Sequence, residues 1–337
     1  MARLMRRFWP ALLILSLLLT GCVAKPTPHE QRFMAMDTYM HFSVYGDSAA
    51  AVQAQDEILQ LEQLLSVTDE DSEVYALNHR TAQTCNLSPH LTALLEQALI
   101  LARQTNGAFD PTVYPLVRAW GFTTGTYQVP EQEELDRLLP LIDHTAPLLN
   151  ANTLTLPPDV QLDFGGIAKG WAGDQAAQLL RGAGVTSAIL RLGGNIHTIG
   201  TKPDGSAWRV GIEDPDSGGT LGTVSVADLA VVTSGSYQRF FTENGQTSHH
   251  IIDPSTGRPA DSDLTSVTVV GKHGTRCDAL STALFVMGLE DAAQFWREHR
   301  DFEAVFVSEE GSVSITAGLE DSFTLSPGQT RKLEVLR

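Results

Sequence analysis

The chain has few cysteines and few basic residues. Its 337 residues include three cysteines, and the two in the body of the sequence, Cys85 and Cys277, form neither a Cys-x-x-Cys pair nor a cluster with histidine. This absence argues against a zinc site. Acidic residues outnumber basic ones by 40 to 23, which gives a net charge of −17. Such a charge argues against a nucleic-acid partner, because nucleic acids require a basic face.

Two common nucleotide-binding signatures are also missing. The sequence contains no Gly-x-Gly-x-x-Gly stretch. The glycine-rich residues 163–170 do not form a Walker A loop, because Lys169 lies four residues after Gly165 and no serine or threonine follows it. A Rossmann fingerprint and a P-loop are therefore excluded. If the protein binds a nucleotide, it holds the nucleotide in another way.

The N-terminus is typical of an export signal. Three arginines precede an apolar run over residues 11–19, which is too short to cross a bilayer as a mature helix. Residues 19–22 read Leu-Thr-Gly-Cys and resemble a bacterial lipobox. Cleavage there would leave Cys22 as a lipidated N-terminus. An ordinary secretory signal with an incidental cysteine is the alternative.

This signal divides the chain into three parts. We expect residues 1–21 to be a lipoprotein signal peptide, residues 22–32 to be a lipidated tether and residues 33–337 to form the functional domain. No later segment approaches 18 consecutive apolar residues, so the lipid would supply the membrane anchor. In an exported protein Cys85 and Cys277 can oxidise to a disulfide, and two buried thiols are the alternative.

The apolar spacing predicts a mixture of helices and strands. Ser88 as N-cap and Pro89 at the first helical position begin one helix, and Gly107 ends it. Periodicity predicts further helices over residues 50–65, 131–139 and 172–180, and strands over residues 39–45, 153–156, 160–164, 187–192, 303–307 and 312–316, with several more between 208 and 232.

The stretch that organises the chain is residues 163–174. The predicted strand 160–164 leads into a glycine-rich turn that contains Lys169, and a helix follows. Backbone N–H groups of such a turn, together with the helix N-terminus, favour an anion. A tight turn with a solvated lysine is the alternative.

Two other stretches carry side chains suited to chemistry. Asp278 and Thr282 are four residues apart on a predicted helix, so both oxygens lie on one face, as a Mg²⁺ site requires. The alternative is an aspartate favoured by the helix dipole and a threonine bonded back to its own chain. His249 and His250 end a strand beside the Pro/Gly turn of residues 253–259, which makes them candidate acid–base groups.

Five motifs stand in the order found in the ApbE family, the FAD:protein FMN transferases. They are residues 109–112 (Phe-Asp-Pro-Thr), 163–170 (Asp-Phe-Gly-Gly-Ile-Ala-Lys-Gly), 234–237 (Ser-Gly-Ser-Tyr), 250–257 (His-Ile-Ile-Asp-Pro-Ser-Thr-Gly) and 278–282 (Asp-Ala-Leu-Ser-Thr). The chain resembles this family from about Phe33 to its C-terminus. One such motif is weak, but five in order are very specific.

The resemblance implies an α+β fold of two interleaved α/β subdomains, with FAD bound between them. It implies that His250 is catalytic and that Mg²⁺ is held by Asp278, Thr282 and the carbonyl of Gly166. The implied FAD contacts are Met36, Ala108, Phe109, Asp110, Asp163, Lys169 and the backbone near Ile252. Two departures bear on FAD affinity: Asp37 replaces the family's usual glycine, and Thr68 replaces a large side chain often found over the flavin site.

The activity implied by the resemblance is Mg²⁺-dependent transfer of FMN from FAD to a threonine or serine hydroxyl of an acceptor protein, with release of AMP. The acceptor is typically a membrane redox subunit, and the enzyme is expected on the periplasmic side of the inner membrane. Three alternatives remain open: a Mg²⁺-dependent FAD pyrophosphatase, a non-catalytic flavin-binding lipoprotein, and a structural lipoprotein that binds no flavin.

Overall fold

The computed structural model describes residues 26–337. The expected signal peptide and the lipidation site at Cys22 lie outside the described residues. Over residues 26–337 no helix is both long enough and apolar enough to cross a membrane. The first strand begins at His29, inside the stretch expected to be a tether.

The strands are numbered in chain order. They are β1 (His29–Ala35), β2 (Thr38–Tyr45), β3 (Thr84–Asn86), β4 (Leu148–Asn150), β5 (Thr153–Thr155), β6 (Ser187–Leu192), β7 (Asn195–Ile199), β8 (Trp208–Glu213), β9 (Thr220–Val226), β10 (Ala230–Gly235), β11 (Phe240–Glu243), β12 (Gln246–His249), β13 (Leu264–Gly271), β14 (Glu303–Ser308), β15 (Val313–Thr316), β16 (Phe323–Leu325) and β17 (Leu333–Leu336).

The α-helices are numbered in the same way. They are α1 (Ser48–Leu65), α2 (Glu73–Asn78), α3 (Pro89–Gln104), α4 (Tyr114–Ala119), α5 (Gln132–Leu138), α6 (Ala168–Gly182) and α7 (Gly274–His299). Short 3₁₀ turns occupy Leu139–Leu141 and Ala317–Leu319. Helix α7 is interrupted at Gly288, whose φ of +76° is not helical.

A nine-stranded sheet forms the centre of the molecule, in the order β1-β2-β6-β7-β10-β13-β14-β15-β17. Its neighbouring strands are antiparallel except β15 and β17, which are parallel. Helices α1 and α6 cover one end of one face, and α7 covers its middle. The opposite face packs on a three-stranded sheet, β16-β9-β8.

A smaller lobe sits beside the helix-covered face. Helices α2 and α3 and the sheet β3-β5-β4 share an apolar core with residues of α6 and α7. Helices α4 and α5 form a separate cluster against Ile252. The expected α+β fold is therefore confirmed, and the segments of the two lobes alternate along the chain.

One hairpin carries the departure at Asp37. Strands β1 and β2 pair Ala35 with Thr38, which leaves Met36 and Asp37 as a two-residue turn. Both have left-handed φ angles, +50° and +57°. This is the type I′ geometry in which glycine is favoured and aspartate is tolerated. The backbone N–H of Met36 also donates to Glu62 Oε1 of α1 at 2.5 Å, which ties the turn to the helix.

Most of the predicted elements are confirmed, but the strand predicted at residues 160–164 is wrong. The backbone of Leu162 is bonded instead to the side chain of Asn78: its N–H donates to Oδ1 at 2.7 Å, and its carbonyl accepts from Nδ2 at 2.8 Å. Asp163 N donates to Pro111 O at 2.8 Å. The segment is thus held by a side chain and a loop, and no strand among residues 26–337 pairs with it.

One further expectation changed, and one alternative that the sequence left open is decided. Helix α6 begins at Ala168, earlier than predicted, so Lys169 lies in its first turn and not in the preceding loop. Cys85 and Cys277 are both free thiols, and no disulfide joins them. Burial raises the pKa of the Cys277 thiol, which is therefore protonated and unreactive.

Candidate active site

A cavity of about 620 Å³ lies where the smaller lobe meets the ends of strands of the nine-stranded sheet. Its wall is built from the hairpin β1–β2, the loops before α4 and α6, the ends of β7 and β10, and helix α7. Every described residue of the predicted site lines it: Met36, Ala108, Phe109, Asp110, Asp163, Gly166, Lys169, His250, Ile252, Asp278 and Thr282.

The glycine-rich turn before α6 places Lys169 in the cavity wall together with Asp163. Gly165 N donates to Asp163 Oδ1 at 2.5 Å, and burial raises the pKa of this carboxyl. Lys169 Nζ donates to the carbonyl of Gly165 at 3.4 Å, so the ammonium folds back over the turn. The lysine charge and the N-terminus of α6 therefore act on the same part of the cavity.

Helices α6 and α7 cross at very short range. A Cβ atom added at Gly170 would lie 2.2 Å from the carbonyl oxygen of Gly274, so only glycine fits there. Gly170 N donates to Asp278 Oδ2 at 2.8 Å. In return Asp174 of α6 accepts from Gly274 N at 2.8 Å and Thr275 N at 2.9 Å, and so caps α7. The crossing fixes Asp278 beside the turn that carries Lys169.

Asp278 and Thr282 offer two oxygens to a cation. The bond from Gly170 occupies only one carboxylate oxygen of Asp278, and Oδ1 remains for another partner. Ser281 donates its hydroxyl proton to the carbonyl of Asp278 at 2.9 Å, so it accepts from Ser234 at 2.7 Å. Ser234 in turn accepts from Thr282 at 3.3 Å. This relay uses the proton of Thr282 and leaves its lone pairs for a metal.

The backbone of Gly166 lies beside Thr282: a Cβ atom added at Gly166 would be 3.6 Å from Thr282 Oγ1. Carboxylate, hydroxyl and carbonyl oxygens are the donors that Mg²⁺ prefers. Within residues 26–337 no three His, Cys, Asp or Glu side chains cluster as a metal site. The donor set thus fits a hard cation that completes its shell with water or phosphate oxygens, as Mg²⁺ usually does.

His250 lines the cavity as a neutral imidazole. Its Nδ1 lies 3.2 Å from the carbonyl oxygen of Arg239, and its backbone N donates to the same oxygen at 3.0 Å. A carbonyl oxygen only accepts, so Nδ1 carries the proton and Nε2 carries the lone pair. Burial, reinforced by the charges of Arg239 and Lys169, lowers the pKa of His250 to about 3.

That value lies far below the ordinary histidine pKa of about 6.5. At neutral pH the imidazole is entirely in its basic form. His249 points the other way, as strand alternation predicts: its Nε2 lies 3.2 Å from the carbonyl of Ala260, and its ring meets that of Phe285 edge-on at 5.5 Å. Only His250 of the pair can act in the cavity.

Comparison with known proteins decides the family. The model of the ApbE family matches residues 36–306. A protein of Treponema pallidum named FAD:protein FMN transferase is 35% identical, over 89% of this chain and 90% of its own length. A Vibrio cholerae protein of the same name is 34% identical, over 84% and 89%. The chain belongs to the ApbE family.

Solved structures of ApbE proteins have the same fold. The ApbE protein of Thermotoga maritima superposes with a TM-score of 0.81 at 31% identity, covering 86% of this chain and 97% of that one. The flavin transferase ApbE of Vibrio cholerae gives 0.79 at 26% identity, covering 87% and 98%.

In this ApbE-family chain the carboxylate of Asp110 is occupied by Thr112 of its own loop and by His144, which is 34 residues away in the sequence. One oxygen accepts from Thr112 N at 2.8 Å and Thr112 Oγ1 at 2.7 Å. The other accepts from His144 N at 3.1 Å and lies 3.3 Å from His144 Nδ1. Asp110 therefore shapes the cavity wall, and its direct contact with a nucleotide remains a prediction.

Several further polar residues line the cavity that the sequence did not mark as site residues, among them Asn195, Glu213, Tyr237 and Arg239. The Tyr237 hydroxyl is buried with no partner among the described residues, and burial together with Glu213 and Asp214 raises its pKa to about 12. Two signals were visible in the sequence: the motif at residues 234–237 contains Tyr237, and a Gly-Gly pair before Asn195 marks a tight turn at a strand end.

Proposed function

We propose that this ApbE-family protein is an FAD:protein FMN transferase, which moves FMN from FAD to a threonine or serine hydroxyl of an acceptor protein, releases AMP and requires Mg²⁺. The observation that carries the proposal is the convergence on one cavity of a neutral His250, the cation Lys169, and the oxygen pair of Asp278 and Thr282. The names of the Treponema and Vibrio relatives support it.

Different parts of the cavity wall would bind different parts of FAD. Lys169 and the N-terminus of α6 attract the negative pyrophosphate of FAD. Met36, Ala108 and Phe109 supply the surface for its nucleotide parts, as the family motifs imply. Asp278, Thr282 and the carbonyl of Gly166 would hold Mg²⁺, which neutralises charge on the phosphates.

The transfer needs one proton acceptor. The acceptor hydroxyl oxygen forms a bond to the phosphorus of the FMN half, and the bond from that phosphorus to the bridging oxygen breaks. AMP leaves with the bridging oxygen. Nε2 of His250 takes the hydroxyl proton, because it is the ring nitrogen with a free lone pair. The cavity wall holds the reacting groups in line, which is the main requirement of phosphoryl transfer.

One mixture separates this function from its alternatives. The protein is incubated with FAD, Mg²⁺ and an acceptor protein that carries an available threonine. A transferase yields AMP and an acceptor whose flavin fluorescence remains attached after the acceptor is denatured. A pyrophosphatase yields free FMN and AMP, a binding protein leaves FAD intact but bound, and a structural protein does neither. Any result except the first contradicts the proposal.

We further propose that the protein is exported and anchored through a lipid on Cys22, at the periplasmic side of the inner membrane. The lipobox-like residues 19–22 support this proposal. Acceptors that are membrane redox proteins would then lie on the same surface as the active site.

A further inference from the structure

Asn195 is a buried polar residue in the cavity wall with an unsatisfied side chain. It is 1% exposed, and its amide nitrogen has no hydrogen-bond partner within residues 26–337. Buried amides are nearly always hydrogen-bonded, because an unpaired buried donor is costly. A donor left unpaired at the wall of a binding cavity is explained when the ligand supplies its partner.

The sheet register shows which way Asn195 faces. Asn195 is the first residue of β7 and is paired directly with Leu192 of β6 and Val232 of β10. Residues directly opposite one another share a face of the sheet. Leu192 packs with α6 and Val232 packs with α7, so Asn195 lies on the face that carries both helices.

His197 fixes the position along that face. It lies two residues beyond Asn195 on β7, so both side chains point to the same side. A Cβ added at Gly274, in the first turn of α7, would lie 2.0 Å from the ring of His197. Asp278 is one helical turn further along α7 than Gly274, in the direction of the cavity. Asn195 therefore stands next to the end of the cavity that holds Asp278.

We propose that the Asn195 amide donates a hydrogen bond to a phosphate oxygen of the bound dinucleotide, beside the oxygen ligands of Asp278 and Thr282. A phosphate oxygen is the fitting acceptor because Lys169 and the α6 N-terminus already make this part of the cavity attract anions. This inference rests on the proposed function, since that function supplies a pyrophosphate. It makes Asn195 a binding residue that orients the phosphates.

Two substitutions test the proposal, with a third as control. Asn195→Leu removes the amide at similar volume, and Asn195→Ala removes it without filling the space. Asn86→Ala on strand β3 removes an exposed asparagine whose Oδ1 accepts from Thr153 Oγ1 at 3.0 Å, away from the cavity. For each protein the dissociation constant for FAD with Mg²⁺ is measured by flavin fluorescence, and the melting temperature is measured with and without FAD.

A hydrogen bond to a charged acceptor accounts for about a tenfold to hundredfold change in affinity. Both Asn195 variants should bind FAD more weakly by that factor, and the FAD-induced rise in melting temperature should shrink. Without FAD, Asn195→Leu should melt at the wild-type temperature or higher, because it deletes an unpaired buried donor. Asn86→Ala should bind FAD as wild type does.

Two results would overturn the inference. One is wild-type FAD affinity in both Asn195 variants. The other is a lower melting temperature of the ligand-free variants with an unchanged FAD-induced rise, which would make Asn195 a structural residue. If the wild-type protein itself fails to bind FAD with Mg²⁺, the proposed function falls and this inference falls with it. Equal affinity of wild type and variants overturns only the role of Asn195.

Discussion

At the scale of single residues, the protonation state of His250 decides whether the cavity can remove a proton. Its hydrogen bond to the Arg239 carbonyl sets the tautomer, and burial holds its pKa at about 3. The unfolded chain binds this proton near pH 6.5. Between those two values the unfolded state binds more protons than the folded state, so His250 lowers the stability of the fold as pH falls from 6.5 towards 3.

The same shift predicts an unusual pH profile. Only the neutral imidazole acts as a base, so kcat/KM of the wild-type protein should not fall as pH drops through 6.5. His250→Ala should lower kcat/KM about a hundredfold to ten-thousandfold while FAD still binds. His249→Ala should change kcat/KM little and lower the melting temperature, because its ring packs on Phe285. Steady-state rates from pH 5 to 8 test this, and a larger loss at His249 would reject the assignment.

Asp278 accepts a hydrogen bond from Gly170 N and offers an oxygen to a cation, and one substitution can separate these two roles. Asp278→Ala would leave the Gly170 N–H unpaired and cost about 1–3 kcal/mol of stability. Asp278→Asn keeps an oxygen for that N–H but loses the charge for a cation. We expect Asp278→Asn to fold like wild type and to lose activity by at least the roughly 10–100-fold cost of disturbing a metal site. Mg²⁺ titrations of the rate, with melting temperatures, check this, and wild-type activity at limiting Mg²⁺ would contradict it.

At the scale of elements, the crossing of α6 and α7 sets the geometry of the site. Asp174 caps α7 through Thr275 and Gly274, and Asp278 receives the N–H of Gly170. Burial alone would raise the pKa of Asp174, but its hydrogen bonds to His197 and Thr275 outweigh that effect and lower it. The ionised Asp174 cap therefore stabilises the fold at pH values above the ordinary aspartate pKa. This stabilisation is lost as the pH falls through the lowered pKa of Asp174 in the folded protein.

Two glycines of the same helix test the crossing. Gly170→Ala places a Cβ 2.2 Å from the Gly274 carbonyl and should cost about 1–3 kcal/mol or more of unfolding free energy. Gly182→Ala, at the far end of α6, meets no atom within 4 Å and should stabilise the helix by up to about 1 kcal/mol. Urea denaturation measures both. Equal stabilities of the two variants would mean that the helices do not cross this closely.

The elements that could be predicted from the sequence are those whose signals are local. Ser88 before Pro89 predicted the start of α3, and in the structure the hydroxyl of Ser88 accepts from Leu91 N at 3.4 Å. The segment at 160–164 could not be predicted, because Asn78, which is 84 residues away from Leu162, holds it. The role of Asn195 could not be predicted from the sequence either. Its burial depends on strands and helices that are distant in sequence, whereas Asp278 and Thr282 are one helical turn apart and could be paired in advance.

At the scale of the whole molecule, the site lies where the two lobes meet, and the membrane anchor is expected at the end of the chain that precedes β1. Cys22→Ser should leave an unlipidated soluble protein or an unprocessed precursor, because the lipid on Cys22 would supply the membrane anchor. Membrane fractionation of the wild type and the variant, followed by immunoblotting, measures this. Retention of the processed variant on membranes would contradict lipid anchoring at Cys22.

The most direct test of the central claim is the intact mass of an acceptor protein after incubation with this protein, FAD and Mg²⁺. We expect the acceptor to gain the mass of one FMN less one water, one AMP to appear for each modified acceptor, and His250→Ala to slow both together. An acceptor of unchanged mass beside free FMN and AMP would contradict the claim, and so would full modification by His250→Ala at the wild-type rate.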